Sequence, residues 1–179
     1  MSFAFLVDGV TEQRFIQLIC TNAAVKRINL NGASVQIGAL AERIASLIRL
    51  WNGKYRTIIV IVDLEKREQS ADAFAKDLLA AITAQGAACG VIVGVADRML
   101  ENWMLGDSAL WPDHDLPAVV DGFSGAAFLK KITGARYDKA AHGPELLKKA
   151  RVSEIRVRSP SFASFFDRLP RARCHWLNQ

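Results

Sequence analysis

Arg56 to Glu65, RTIIVIVDLE, leaves the chain the fewest choices. Thr57 to Val62 is apolar or β-branched throughout, with no polar alternation. A strand of that kind must be covered on both faces, as in a parallel sheet packed between helices. The run ends in Asp63 and Glu65, two residues apart, whose side chains leave on the same side if the strand period of two continues. Open α/β sheets bind ligands outside the carboxyl ends of their strands, where these two carboxylates stand.

Two further runs repeat the pattern. Phe3 to Val7 (FAFLV) ends in Asp8-Gly9, and Gly90 to Ala96 (GVIVGVA) ends in Asp97. Between the runs, Thr11 is the expected N-cap of a helix reaching about Ala24, with Phe15, Leu18 and Ile19 at helical spacing. Val35 to Ile37 reads as a short strand. Leu40 to Leu50 reads as an amphipathic helix closed by Asn52-Gly53, and Ala71 to Gln85 as a helix stopped by Gly86. Alternation of strand and helix favours a mainly parallel, four-stranded sheet flanked by helices. Arg98 to Gly106 reads as a helix leaving the fourth strand, with Glu101 four residues beyond Asp97.

Past Pro112 the pattern weakens to short helices near Gly125 to Ile132, Pro144 to Ala150 and Pro160 to Leu169. A chain of 179 residues with no long linker is expected to form one domain. Residues 1–110 would make its α/β core, and residues 111–179 a basic helical extension packed on that core.

The net charge of +5 conceals an asymmetry, because residues 125–179 hold 12 Lys and Arg against 4 Asp and Glu. The preceding chain is therefore net acidic. An acidic sheet edge beside a basic tail suits a nucleic acid whose phosphates meet Lys130, Lys131, Lys139, His142, Lys148, Lys149 and Arg151. A basic helix face that is simply solvated is the plainer reading of the same residues. Cys20, Cys89 and Cys174 match no zinc spacing, and the expectation is a reducing, cytoplasmic setting without disulfides. No apolar run has the length of a membrane span, so no membrane partner is expected.

Asp8, Asp63 and Glu65 form the principal candidate site, with Glu12, Asp97 and Glu101 as additions. Carboxylates without clustered histidines or thiolates suit Mg2+ or Mn2+ rather than zinc or copper. A cation of that class held by few carboxylates commonly works on phosphate esters. No GxxxxGK[ST] loop is present and no GxGxxG follows the first strand, which argues against P-loop and dinucleotide enzymes. His114, His142 and His175 are scattered, and Trp51, Trp103, Trp111 and Trp176 read as core or lid aromatics.

Four short motifs in order carry a resemblance: Val7-Asp8-Gly9-Val10-Thr11-Glu12, Val62-Asp63-Leu64-Glu65, Leu100-Glu101-Asn102-Trp103-Met104-Leu105 and Ser159-Pro160-Ser161-Phe162. Together they resemble the Toprim-like, Rossmann-like superfamily. Within it they resemble the family known as domain of unknown function 4276, related to the Toprim nucleases of overcoming-lysogenisation-defect proteins. Toprim proteins place a glutamate after the first strand and an Asp-x-Asp pair after a later one, which bind magnesium for cleavage or joining of nucleic acid. The resemblance carries the first role to Asp8 and the second to Asp63 and Glu65. Asp8 is one methylene shorter than the family residue and Glu65 one longer. Neither Tyr55 nor Tyr137 stands where a topoisomerase tyrosine would, which favours hydrolysis. The implied activity is a metal-dependent nuclease, an effector of phage defence beside a separately encoded ATPase. The alternative is a catalytically weak module that binds nucleic acid or protein.

Overall fold

The structure, a computed structural model, describes residues 2–134, 137–170 and 174. Arg136, Arg171 and Arg173, three of the 12 basic residues of the tail, lie outside the described residues, as do His175 and Trp176. Strands β1 (Phe3–Val7), β2 (Ala24–Arg27), β3 (Thr57–Asp63) and β4 (Gly90–Ala96) form a sheet of order β2-β1-β3-β4. Every pairing is parallel, with Val7 opposite Ile61 and Asp63 opposite Ala96. β3 is interior and buries both faces, which is why its sequence lacks alternation. Ile59 and Ile61 enter one core, while Ile58, Val60 and Val62 enter the other.

Helices α2 (Ile37–Arg49) and α3 (Ala71–Ala84) cover the second face through Leu40, Ile44, Phe74 and Leu78. The first face is covered by α1 (Val10–Ile19), α4 (Glu101–Leu105), α5 (Gly125–Thr133), α6 (Lys139–Lys149), α7 (Val152–Arg158) and α8 (Pro160–Phe166). The result is the Rossmann-like α/β architecture expected from the strand and helix order. Leu129, Leu147, Ile155 and Phe162 from beyond residue 110 share one core with Phe5, Phe15 and Trp103. The extension thus supplies most of a helical layer.

Several boundaries differ from the sequence reading. The second strand is Ala24–Arg27, not Val35 to Ile37. As a four-residue edge strand carrying Lys26 and Arg27 it has little apolar pattern to show, while Ile37 opens α2. Gly9, not Thr11, is the N-cap of α1, which ends at Ile19 because Cys20 and Ala23 close a turn. Residues 98–100 remain outside α4, and α7 was not anticipated.

Helix α6 begins at Lys139, ahead of Pro144, which lies in its interior. Pro144 has no N–H for the carbonyl of Ala140, and Arg14 of α1 donates its Nη1 to that oxygen at 2.8 Å. On β4, a Cβ at Gly94 would stand 2.5 Å from the Phe165 ring, so only glycine lets α8 lie this close. Cys20 and Cys174 form a disulfide with Cα atoms 4.7 Å apart, contrary to the expected absence of disulfides. Cys20, the C-cap of α1, and Cys174 are both buried. Among the described residues no helix is long and apolar enough to cross a membrane.

Candidate metal centre at the carboxyl edge

The strand order reverses direction between β1 and β3, since β1 connects outward to β2 on one side and β3 to β4 on the other. Such a switch point opens a crevice at the carboxyl ends of two adjacent strands. Asp8 follows β1 and Asp63 ends β3, so the topology itself brings them together. One carboxylate oxygen each from Asp8, Asp63 and Glu65 lies within 4.8 Å of the others. Asp63 is 5% exposed, and Asp8 and Glu65 are half-buried.

Glu65 reaches this cluster by a route other than strand alternation. β3 ends at Asp63, and Glu65 takes a left-handed φ of 60°. Arg98, across the edge, has a φ of 63°, and Glu65 N donates to Arg98 O at 2.9 Å. Two non-glycine residues in that region sit side by side at the centre, where local backbone strain often serves a site. The Asp63 carboxylate is aimed by Leu100 N, which donates to its Oδ1 at 2.8 Å. Asn31 Nδ2 donates to Asp8 Oδ2 at 2.6 Å and to Asp63 O at 2.8 Å. Arg67 Nη2 in turn donates to Asn31 Oδ1 at 3.0 Å and stacks its guanidinium over Phe74.

A second acidic group adjoins the first and shares Asp63 with it. Lys139 Nζ lies 3.3 Å from Glu101 Oε2, 3.6 Å from Asp63 Oδ2 and 4.0 Å from Glu12 Oε1. Glu101 is fully buried, and neither of its carboxylate oxygens has a hydrogen bond that meets ordinary geometry. The Lys139 ammonium is thus its nearest compensation. Glu12 Oε2 accepts from Gly9 N at 2.9 Å, the return half of a capping box. Burial pushes the carboxyls of Asp8 and Glu12 above their ordinary range, and that of Asp63 well above it. The acids around Asp63 add to its shift, and Lys139 opposes it. Burial alone would lower the Lys139 ammonium, but Asp63, Glu101 and Glu12 outweigh it and hold the charge firmly.

The remaining candidates are dispersed. Asp97 N donates to Ser161 Oγ at 3.4 Å, and the Asp97 carboxylate, which is not among the three gathered acids, acts on Asp121. Lys139 turns into the acids instead of joining a phosphate-facing surface. Arg151 grips Asp107 through Nε at 2.9 Å and Nη2 at 2.6 Å. His142 Nδ1 accepts from Asp138 N at 2.9 Å. Lys130, Lys131 and Lys149 are exposed and Lys148 is half-buried. Trp103 is a core residue, stacked on Phe165 with centroids 5.7 Å apart.

Asn31, Arg67 and Asp121 escaped the sequence reading. Asn31 stands in Asn29-Leu30-Asn31-Gly32, which reads as turn chemistry alone, and Arg67 in a polar loop.

Three carboxylates of mixed burial, with no thiolate or imidazole among them, fit a hard divalent cation bound through oxygen. The model of the family described as Domain of unknown function (DUF4276) matches residues 7–170. No curated protein and no solved structure matches the chain.

Proposed function

For this chain, which belongs to the DUF4276 family, we propose metal-dependent hydrolysis of phosphodiester bonds in nucleic acid. The observation that carries the proposal is the gathering of Asp8, Asp63 and Glu65 within 4.8 Å at a switch point. Mg2+ or Mn2+ held there would polarise a phosphoryl oxygen and lower the pKa of bound water. Asp63, fixed by Leu100 N, and Asp8, fixed by Asn31, present pre-oriented oxygens to the cation. Glu65 completes the set from its left-handed turn. Lys139 offsets part of the mutual repulsion of Asp63, Glu12 and Glu101 before a cation arrives.

The exposed lysines of α5 and α6 extend the proposal to phosphates flanking the scissile bond. The ordered motifs support a Toprim-type nuclease acting with a separately encoded ATPase in phage defence. A second reading, a non-cutting binding module, is favoured by one observation. The ammonium of Lys139 already stands 3.6 Å from Asp63 Oδ2, where it competes for the same carboxylate.

The deciding experiment incubates the purified chain with single- and double-stranded DNA and RNA under Mg2+, Mn2+ or EDTA, with and without the product of a neighbouring ATPase gene. Cleavage under Mg2+ or Mn2+ that stops in EDTA and in Asp63→Asn is the expected result. Calorimetric Mn2+ binding with no cleavage of any substrate establishes the second reading, and absence of both overturns the metal centre.

A further inference from the structure

Ser159-Pro160-Ser161-Phe162 takes no direct part in the centre, yet the segment it touches holds two of the three acids. Residues 96–100 run along the carboxyl edge from β4 toward α4. Ala96 O accepts from Leu64 N at 2.8 Å, and Arg98 O accepts from Glu65 N at 2.9 Å. Leu100 N donates to Asp63 Oδ1 at 2.8 Å. One short segment therefore sets both the Asp63 carboxylate and the backbone that carries Glu65. Inside it, Met99 N bonds Asp97 O at 2.8 Å, a tight turn that couples a shift at residue 97 to residue 100.

The start of that segment is tied down by Ser161. Its Oγ accepts from Asp97 N at 3.4 Å and from Trp103 Nε1 at 3.4 Å, and donates to Asp121 Oδ1 at 3.1 Å. Asp121 is itself fixed, because its Oδ2 accepts from Ser161 N at 2.7 Å and its Oδ1 from Ser159 Oγ at 2.6 Å. Ser159 is fully buried and Ser161 nearly so. Capping of α8 accounts for Ser159, whose Oγ accepts from Phe162 N at 3.3 Å. It does not account for the Ser161 hydroxyl, which gathers one N–H from the edge of the metal centre and one from the core indole of Trp103, and hands its own proton to an aspartate.

We propose that Ser161, oriented by Asp121, is a positioning residue that sets Asp63 and Glu65 through residues 96–100. It touches none of the ligand oxygens and acts only through the backbone between them. The inference rests on the metal-centre reading, so its test measures metal affinity before any activity.

Mn2+ is titrated calorimetrically into the parent, Ser161→Ala, Ser161→Thr, Asp121→Asn and Leu129→Ala. Leu129→Ala serves as a core variant, since Leu129 is fully buried and carries no polar group. Partners that orient metal ligands typically contribute 10- to 100-fold in affinity, so Ser161→Ala and Asp121→Asn are expected to weaken Mn2+ binding by about tenfold or more. Ser161→Thr retains the hydroxyl and should bind as the parent does. Leu129→Ala should melt lower yet keep its affinity, which separates positioning from general loss of stability. Unchanged affinity in Ser161→Ala, or in Asp121→Asn if the alanine variant does not fold, overturns the positioning role. Equal weakening in Leu129→Ala overturns it as well. A parent that binds no Mn2+ removes the metal centre itself, a result distinct from either.

Discussion

At the scale of single residues, Lys139 decides how the metal-free centre tolerates its own charge. Asp8, Glu12 and Asp63 all have carboxyls raised by burial, so the folded state holds protons that the unfolded chain releases. Stability from these groups is therefore greatest below their unfolded values and declines as pH rises through the raised folded values. Thermal melts of the metal-free protein, followed as pH rises out of the ordinary carboxylate range, should show this decline, and Asp63→Asn should flatten it. A slope unchanged by the substitution would place the proton uptake elsewhere. Removing the ammonium with Lys139→Met takes from the buried Glu101 the cation that faces it. With Lys139 43% exposed, screening reduces the expected metal-free loss to about 1–2 kcal/mol. Mn2+ should then raise the melting temperature of Lys139→Met more than that of the parent, and an equal rise would show that the lysine is not standing in for a cation. Asp8, Asp63 and Glu65 were legible because each follows an apolar run. Lys139 was not, because a residue count assigns it to the basic tail and only α6 packing on α1 turns it inward.

At the scale of elements, α8 rests on β4 at a position that has no side chain to spare. Gly94→Ala would drive a methyl into the Phe165 ring, which is also held by Trp103. Overpacking of this kind typically destabilises by about 1–3 kcal/mol, read as a lower denaturant midpoint at constant slope. A midpoint equal to the parent would mean that α8 yields freely and does not brace the sheet. β1, β3, β4, α2 and α3 were readable because each is long or strongly periodic. β2 was hidden because an edge strand of three half-buried residues and one exposed residue needs no apolar pattern to pair with one neighbour. The start of α6 was hidden because a proline normally marks a helix beginning. Here it sits inside, and the freed carbonyl of Ala140 is satisfied by Arg14 from another helix.

At the scale of the whole molecule, the centre is assembled from residues 8–12, 31, 63–65, 96–101 and 139, and the tie at Ser161 lies farther along still. The α/β class and its carboxyl-edge site could be read from strand order. The path by which residues 96–100 and the α8 start converge on that edge could not, because backbone hydrogen bonds between distant loops leave no residue pattern. This dispersal has a consequence in time. No fragment of the chain contains the cation's surroundings, so the binding geometry comes into being only after β1 has found β3 and the carboxy-terminal helices have closed over the sheet. Interactions absent from the folding transition state slow unfolding and leave folding nearly unchanged. In stopped-flow denaturant jumps, Mn2+ should therefore lower the unfolding rate of the parent while its refolding rate stays as in EDTA. A refolding rate that climbs with Mn2+ would mean that the acids meet early, and that the cation guides the chain rather than arresting its escape.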